Sequence, residues 1–374
     1  MNQEPEFLDY FSDLRDHRIN RKKLYSVKEI LLLTICAVIS GCHSWDDIEL
    51  YGKTKLDQLQ HYLPYKNGTP SDDTLRRFFR AFDAKTFEKC FIKWVKSFQL
   101  NFEGSVIAID GKTSRHSFDC DNNSMHMVSA FASEFGVVIG QNKTSDKSNE
   151  ITAIPELLSL LDIKGSIVTI DAMGTQYKIA NQIVEAEADY ILALKGNQSS
   201  LKDDVQAYFE NPCKEISVSH FEDLDKGHGR LEKRCCRVIK DIGWIKGQHP
   251  HWSSINSIIE VKSTREIKTK QTVEKRYYIS SSNKSPEKLL NAIRSHWGIE
   301  NRLHWILDMT YDDDYSRIRK GNAPQNMATI KKISVNMIRG AKQLPQYTKN
   351  SFKLMRKLAG WDNKCLNDIL FAKF

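Results

Sequence analysis

The 374-residue chain has no hydrophobic run long enough to cross a bilayer. Its longest apolar stretch, residues 30–39, is ten residues long and is interrupted by Thr34. A spanning helix needs about 20 residues, so this stretch predicts a buried helix and no membrane partner. The N-terminus, Met1-Asn-Gln-Glu-Pro-Glu6, is acidic with no apolar core behind it, so no secretory leader is expected. None of the 8 cysteines forms a Cys-x-x-Cys pair. The adjacent Cys235 and Cys236 would face opposite sides of a strand. Reduced thiols in a cytosol are expected, rather than a disulfide scaffold or zinc finger. There is no Gly-x-x-x-x-Gly-Lys-Ser/Thr loop and no Gly-x-Ser-x-Gly elbow, and no Gly-x-Gly-x-x-Gly follows a strand. Nucleotide hydrolysis, serine-hydrolase chemistry and a nucleotide cofactor are therefore unsupported.

What is present is an ordinary globular composition. Hydrophobic residues make up 40% and charged residues 27%, and 7 Trp, 13 Tyr and 17 Phe exclude disorder as the main theme. The length allows two or three domains. The net charge is +8, but residues 315–374 carry 13 basic and 2 acidic residues. That sixth of the chain is strongly basic, and the rest is slightly acidic. A polyanionic partner fits this asymmetry, and so does a solubilising tail.

The first hundred residues read as helices. Ser26 caps a segment closed by Gly41. A second helix is predicted over 44–60, with Gly52 inside it. Ser71 caps a third over 74–82, and a fourth covers 85–98. The arrangement is compatible with a helix-turn-helix. Within 74–82, Arg76, Arg77 and Arg80 interleave with Phe78, Phe79 and Phe82, which places arginines on a DNA face or simply on a solvated face. From residue 105 the texture becomes β-rich, with runs at 106–109, 127–132, 137–139, 167–170 and 190–194. Helical segments at 151–161 and 176–187 separate the last three runs, which predicts an α/β core with a mixed sheet. Alternation within 213–283 predicts a β-rich insertion. Ser285-Pro-Glu287 opens a long helix to about residue 309, and another is expected over 324–344.

Two segments match one another: Ser105-Val-Ile-Ala-Ile-Asp110 and Ser166-Ile-Val-Thr-Ile-Asp171. Each sets an Asp just after a four-residue strand-like run. Ligand chemistry in α/β sheets gathers at strand ends, and paired carboxylates suit hard divalent cations. Asp in a turn is the ordinary alternative. In the later helix His296, Glu300 and His304 are spaced four apart and share a face. Glu300 can supply a third carboxylate. A zinc site from His296 and His304 competes with this but lacks His-Glu-x-x-His spacing. Asp308 and Asp312-Asp-Asp314 are alternative acids, expected to be solvated or paired with Arg317 and Arg319. Lys112, Arg115, Lys195, His228 and Arg230 are candidates for phosphate or DNA-backbone contact.

The segments Ala108-Ile-Asp-Gly-Lys-Thr113, Lys147-Ser-Asn-Glu-Ile-Thr-Ala-Ile-Pro155, Thr169-Ile-Asp-Ala-Met-Gly-Thr-Gln176, Leu194-Lys-Gly-Asn-Gln198, Gly227-His-Gly-Arg230, His296-Trp-Gly-Ile-Glu-Asn301 and Arg317-Ile-Arg-Lys-Gly-Asn322 occur in this order. In order and spacing the chain resembles the DDE transposases of bacterial insertion sequences, in the branch of H-repeat-associated proteins, over residues 8–345. The resemblance implies an RNase H-like catalytic core over 101–345, interrupted by the β-rich insertion. An all-helical end-binding module over 1–100 would precede it, and a basic helical tail over 346–374 would follow. It also implies an Asp-Asp-Glu metal site, carried here by Asp110, Asp171 and Glu300, with two Mg²⁺ ions and Mn²⁺ able to substitute. Implied partners are DNA, as terminal inverted repeats and target, and a second copy of the chain in the DNA complex. Arg294, Arg302, Arg317, Arg319 and Lys320 join the expected DNA contacts. The chain departs from the broader superfamily around its Glu. Tyr seven before, Arg four before and Lys seven after are replaced by Ile293, His296 and Leu307, with Arg294 and Arg302 out of register. The competing readings are another two-metal nuclease on the same core and a DNA-binding relic without catalysis.

Overall fold

The computed structural model describes residues 4–19, 23–117, 124–144, 149–211, 216–227, 230–267 and 270–374. His228, Cys120 and Cys213 lie outside the described residues. After a 3₁₀ turn at Glu6–Phe11 come five helices: α1 (Val27–Ile39), α2 (Trp45–Thr54), α3 (Leu56–Gln60), α4 (Asp72–Ala81) and α5 (Ala84–Lys96). Strands β1 (Val106–Ser114), β2 (Met125–Ala132) and β3 (Val137–Thr144) follow. Then come α6 (Glu150–Leu158), β4 (Ile167–Ile170), α7 (Tyr177–Glu185), β5 (Asp189–Leu194) and α8 (Ser199–Glu210). Two long hairpins, β6 (Val218–Gly227) with β7 (Arg230–Ile239) and β8 (Ser257–Ile267) with β9 (Lys270–Ser280), flank the short α9 (Gly243–Gln248). The chain ends with α10 (Pro286–Ile299), a π turn at Glu300–His304, α11 (Trp305–Tyr311), α12 (Ala323–Ala341), α13 (Phe352–Trp361) and α14 (Asn363–Leu370).

The strands form one mixed sheet in the order β3-β2-β1-β4-β5-β9-β8-β7-β6. β1, β4 and β5 run parallel, and their neighbours run antiparallel. Alternate side chains face opposite layers. Val106, Ile167 and Ile191 pack with Val238, Ile259, Leu289 and Ile293 under α10. Ile107, Val168 and Leu192 belong to the other core, which extends from Phe7 to Leu370. The N-terminal helices share that core, because α1 and α5 pack on α12 and α5 also packs on β3.

Local signals act as expected at several starts. Ser26 and Glu29 form a reciprocal cap, and the Ser71 and Ser285 hydroxyls accept backbone N–H groups of their first turns. Residues 30–39 are wholly buried. Among the described residues no helix is long and apolar enough to cross a membrane.

Three expectations need correction. The helix predicted over 44–60 breaks at Lys55, not at Gly52. Gly52 is instead a close-packing position, where an added Cβ would lie 2.9 Å from the Thr69 hydroxyl. β1 continues four residues beyond the Asp, because β2 pairs with it as far as Ser114↔Met125 after its β4 partner stops at Ile109↔Ile170. Asp110 therefore lies within a strand. The β-rich segment joins the sheet, because β9 pairs with β5. The C-terminal helices pack inward, with Phe352, Met355, Leu366 and Ile369 buried. Of the basic sixth, Lys331, Lys332 and Arg356 are buried.

Candidate active site

The parallel register sets Ile109 beside Ile170, which brings Asp110 and Asp171 to the same level of the sheet. α10 crosses over this level, and its end delivers Glu300. The next turn is π rather than α, closed by the Trp305 N–H on the Glu300 carbonyl. This turn carries His304 back toward Asp110. The His304 Nδ1 lies 3.3 Å from Glu300 Oε2 and 3.6 Å from Asp110 Oδ2. One ligand atom from each of the three residues lies within 4.8 Å of the others.

Asp171 lines the same cleft, but its Oδ1 is held by its own loop, accepting the Met173 N–H at 3.0 Å and the Gly174 N–H at 3.4 Å. His296 stands beside it with Nδ1 3.0 Å from the Thr169 hydroxyl. Among the described residues, the three-residue metal-ligand cluster contains His304 and not His296, so the two-histidine zinc pair is not assembled.

The cleft measures about 460 Å³. Asp110, Asp171 and Glu300 line it together with Lys195, Lys202, Lys275, Arg276 and the half-exposed Trp297. Burial, then the Glu300 and Asp171 charges, push the Asp110 carboxyl up to about 8. The His304 hydrogen bond, working against burial, holds Glu300 down to about 2. Crowding these acids together therefore disfavours the charged form of Asp110, which a cation bound among them would relieve. Their oxygens and the His304 nitrogen make a donor set that a divalent cation fits.

The other expected contacts scatter. Lys195 lies at the cleft. Lys112 is turned away from it, with Nζ 2.6 Å from Asp308, 3.2 Å from Asp314 and 3.6 Å from Asp313. Arg115 lies 3.4 Å from Asp314, and Lys331 lies 2.7 Å from Asp313. The expected pairing of these aspartates with Arg317 and Arg319 is thus replaced, because the extended β1 carries Lys112 and Arg115 to them. Arg319 donates to the His116 carbonyl. Arg317 and Lys320 are exposed. Arg76, Arg77 and Arg80 face solvent while Phe78, Phe79 and Phe82 are buried; Arg76 bonds Asp72 and Asp46, and Arg77 bonds Asp73. Arg294 ties α10 to Asp223 and Asp225 on β6. Arg302 donates to the Ser133 carbonyl beside the Phe131 ring. Arg230 lies 3.8 Å from Glu232. Sequence reasoning missed Lys202, Lys275, Arg276 and Trp297, and it placed His304 in a zinc pair rather than with Asp110. The four-residue spacing from Glu300 to His304 was the available signal.

The family described as Transposase DDE domain matches residues 101–337, which contain all three acids, and the family described as DDE_Tnp_1-associated matches residues 8–95. The chain belongs to the DDE transposase family. It is 40% identical to "Putative transposase YncI" of Escherichia coli O157:H7 over 369 residues, covering 97% of this chain and 94% of the relative. It is 41% identical to "H repeat-associated putative transposase YhhI" of Escherichia coli (strain K12) over 342 residues, covering 89% and 90%. Among solved structures, the cryo-EM structure of piggyBac transposase synaptic complex with hairpin DNA aligns with a TM-score of 0.47 at 11% identity, covering 97% of this chain and 76% of that one. In this DDE transposase the region matched by the DDE domain begins just before β1 and ends within α12, so the cleft falls inside one family unit.

Proposed function

We propose that this transposase cuts DNA at the ends of its element and joins the freed 3′ ends to target DNA. The observation that carries the reading is the convergence of Asp110, Asp171 and Glu300 on one cleft with basic side chains at its rim. The core is read as RNase H-like, on the strand order β3-β2-β1-β4-β5, with β6–β9 as its insertion. Residues 1–100 are read as the end-binding module and residues 346–374 as a tail.

Asp110, Asp171 and Glu300 are the residues that would hold two Mg²⁺ or Mn²⁺ ions. Such ions, when bound, activate water or a DNA 3′-hydroxyl and stabilise the leaving oxygen of an in-line displacement. The chain's own part is to hold the scissile phosphodiester. Lys195, Lys202 and Lys275 attract the phosphate backbone from the cleft rim, with affinity that falls as salt rises. The Asp171 loop hydrogen bonds fix that carboxylate before DNA arrives. Arg76, Arg77, Arg80, Arg115, Arg230, Arg317 and Lys320 are further candidates along the DNA path. Joining two ends in concert calls for a homodimer on DNA, working in the cytoplasm.

The test uses duplex DNA bearing the junction between the element's terminal repeat and host sequence, with Mg²⁺, Mn²⁺ or EDTA. Wild type should cut at the repeat end and join the 3′ end to a target only with metal. Asp110→Ala, Asp171→Ala and Glu300→Ala should each abolish both steps. A wild type that binds the repeat but neither cuts nor joins it with either metal sinks the reading in favour of a DNA-binding relic.

A further inference from the structure

The histidine beside the acids has no place in an all-carboxylate site. We propose that His304 is a nitrogen ligand, which together with Asp110 and Glu300 forms one cation site that prefers Mn²⁺ to Mg²⁺. The inference rests on the reading that these acids bind divalent cations.

Geometry is the first support. The ligand atoms of Asp110, Glu300 and His304 lie within 4.8 Å of one another. An ion with ligand distances of about 2.1 Å holds its donors up to about 4.2 Å apart, so closure needs shifts of a few tenths of an ångström. The backbone is the second support. The π turn at Glu300–His304 interrupts an otherwise α-helical run. Such turns are rare and occur frequently at functional sites, and here the turn aims both side chains at Asp110.

The surroundings of the ring are the third support. His304 is only 5% exposed, and its Nε2 is buried without a hydrogen-bond partner. Beside the ring lies a small space of about 10 Å³ lined by Lys112, Ser114, Ser129 and Lys332 together with the apolar Met127 and Leu307. That is room for about one water molecule. A cation bound by Nδ1 would take the place of the proton that Nδ1 now shares with Glu300, and a water in this space would accept the Nε2–H, the outer partner that ligating histidines generally have. A mixed nitrogen and oxygen donor set binds Mn²⁺ more readily than Mg²⁺, which prefers oxygen alone.

The test is pulsed electron paramagnetic resonance of Mn²⁺ bound to the full-length chain, read for nitrogen coupling. Wild type should show ¹⁴N modulation, replaced by ¹⁵N modulation when histidine is ¹⁵N-labelled, which needs no substitution. His296→Gln should keep the coupling, and His304→Gln should lose it. In calorimetry His304→Gln should weaken Mn²⁺ by about tenfold or more, the effect of losing even an outer-shell partner, and weaken Mg²⁺ much less. Mn²⁺ that binds without histidine coupling, or coupling that survives His304→Gln, overturns the inference and leaves the transposase reading intact. A wild type that binds no Mn²⁺ overturns both.

Discussion

Two charge clusters sit two residues apart on the same face of β1, and they are built in opposite ways. Around Asp110 the cleft gathers Asp171 and Glu300 with a single histidine between two of them. Around Lys112 the layer beneath gathers Asp308, Asp313 and Asp314, answered by Lys112, Arg115 and Lys331, and Ser114 donates to Asp313 at 2.8 Å. Asp110, Lys112, Asp313 and Lys331 are largely removed from water, whereas Glu300 and Arg115 reach it. In the lower one burial raises the Asp313 carboxyl, but Lys331 and Lys112 outweigh it and hold the group well below its usual range. In the upper one the neighbours are acids, and they add to the effect of burial. A balanced cluster is an internal strut, whereas an unbalanced one is completed by a cation from outside.

Removing one acid from each cluster should give opposite results. Asp313→Ala leaves Lys331 buried without its carboxylate, while Lys112 keeps Asp308 and Asp314, and should cost about 3–5 kcal/mol in urea unfolding. Next in size is the cation itself. Mn²⁺ at about 100 times its Kd should stabilise the wild type by about 2.7 kcal/mol, reversed by EDTA and absent in Asp110→Asn.

The pH dependence should also separate the clusters. Folding raises the Asp110 carboxyl from the usual 3.8 to about 8, so its contribution is complete below pH 4 and is lost as pH rises through 8. Metal-free stability should therefore fall over that window, by up to about 1.4 kcal/mol per pH unit. Saturating Mn²⁺ should flatten or reverse the slope, because the ion displaces the proton. Glu300, held near 2, acts with the opposite sign and only in acid below about pH 4.5. Asp313 behaves like Glu300, present at neutral pH and lost in strong acid. Metal-free Asp110→Asn should lack the Asp110 slope and be more stable than wild type at pH 8, because the neutral amide has no charge to bury. A loss there would mean that the upper cluster is a strut as well.

The sequence made the strand-end aspartates legible because their runs, Val106–Ile109 and Ile167–Ile170, are short, apolar and bounded by Asp. The helix starts were legible because Ser26, Ser71 and Ser285 are caps whose partners lie within one turn. Glu300 was legible as a candidate because His296 and His304 lie four residues to either side of it on one helix face, and the family resemblance then gave it its role. Lys275 and Arg276 were out of reach, because their place at the cleft depends on β9 choosing β5 across more than 80 residues. The basic sixth misled because a charge count is blind to direction. Lys331 ends on Asp313, Lys332 on the Ser129 hydroxyl, and Arg356 on the Val38 carbonyl, all inside the molecule.

The core that joins Phe7 to Leu370 has a consequence for synthesis. α1 presents ten apolar residues as it leaves the ribosome, and the surfaces that cover it include α12 and α13, made some 300 residues later. At about 5–20 residues per second, that interval is roughly 15–60 s. For that time the nascent chain carries an uncovered, sticky segment near its leading end. Its yield in a cell should therefore depend on holding chaperones more than that of a protein whose first hundred residues close on themselves.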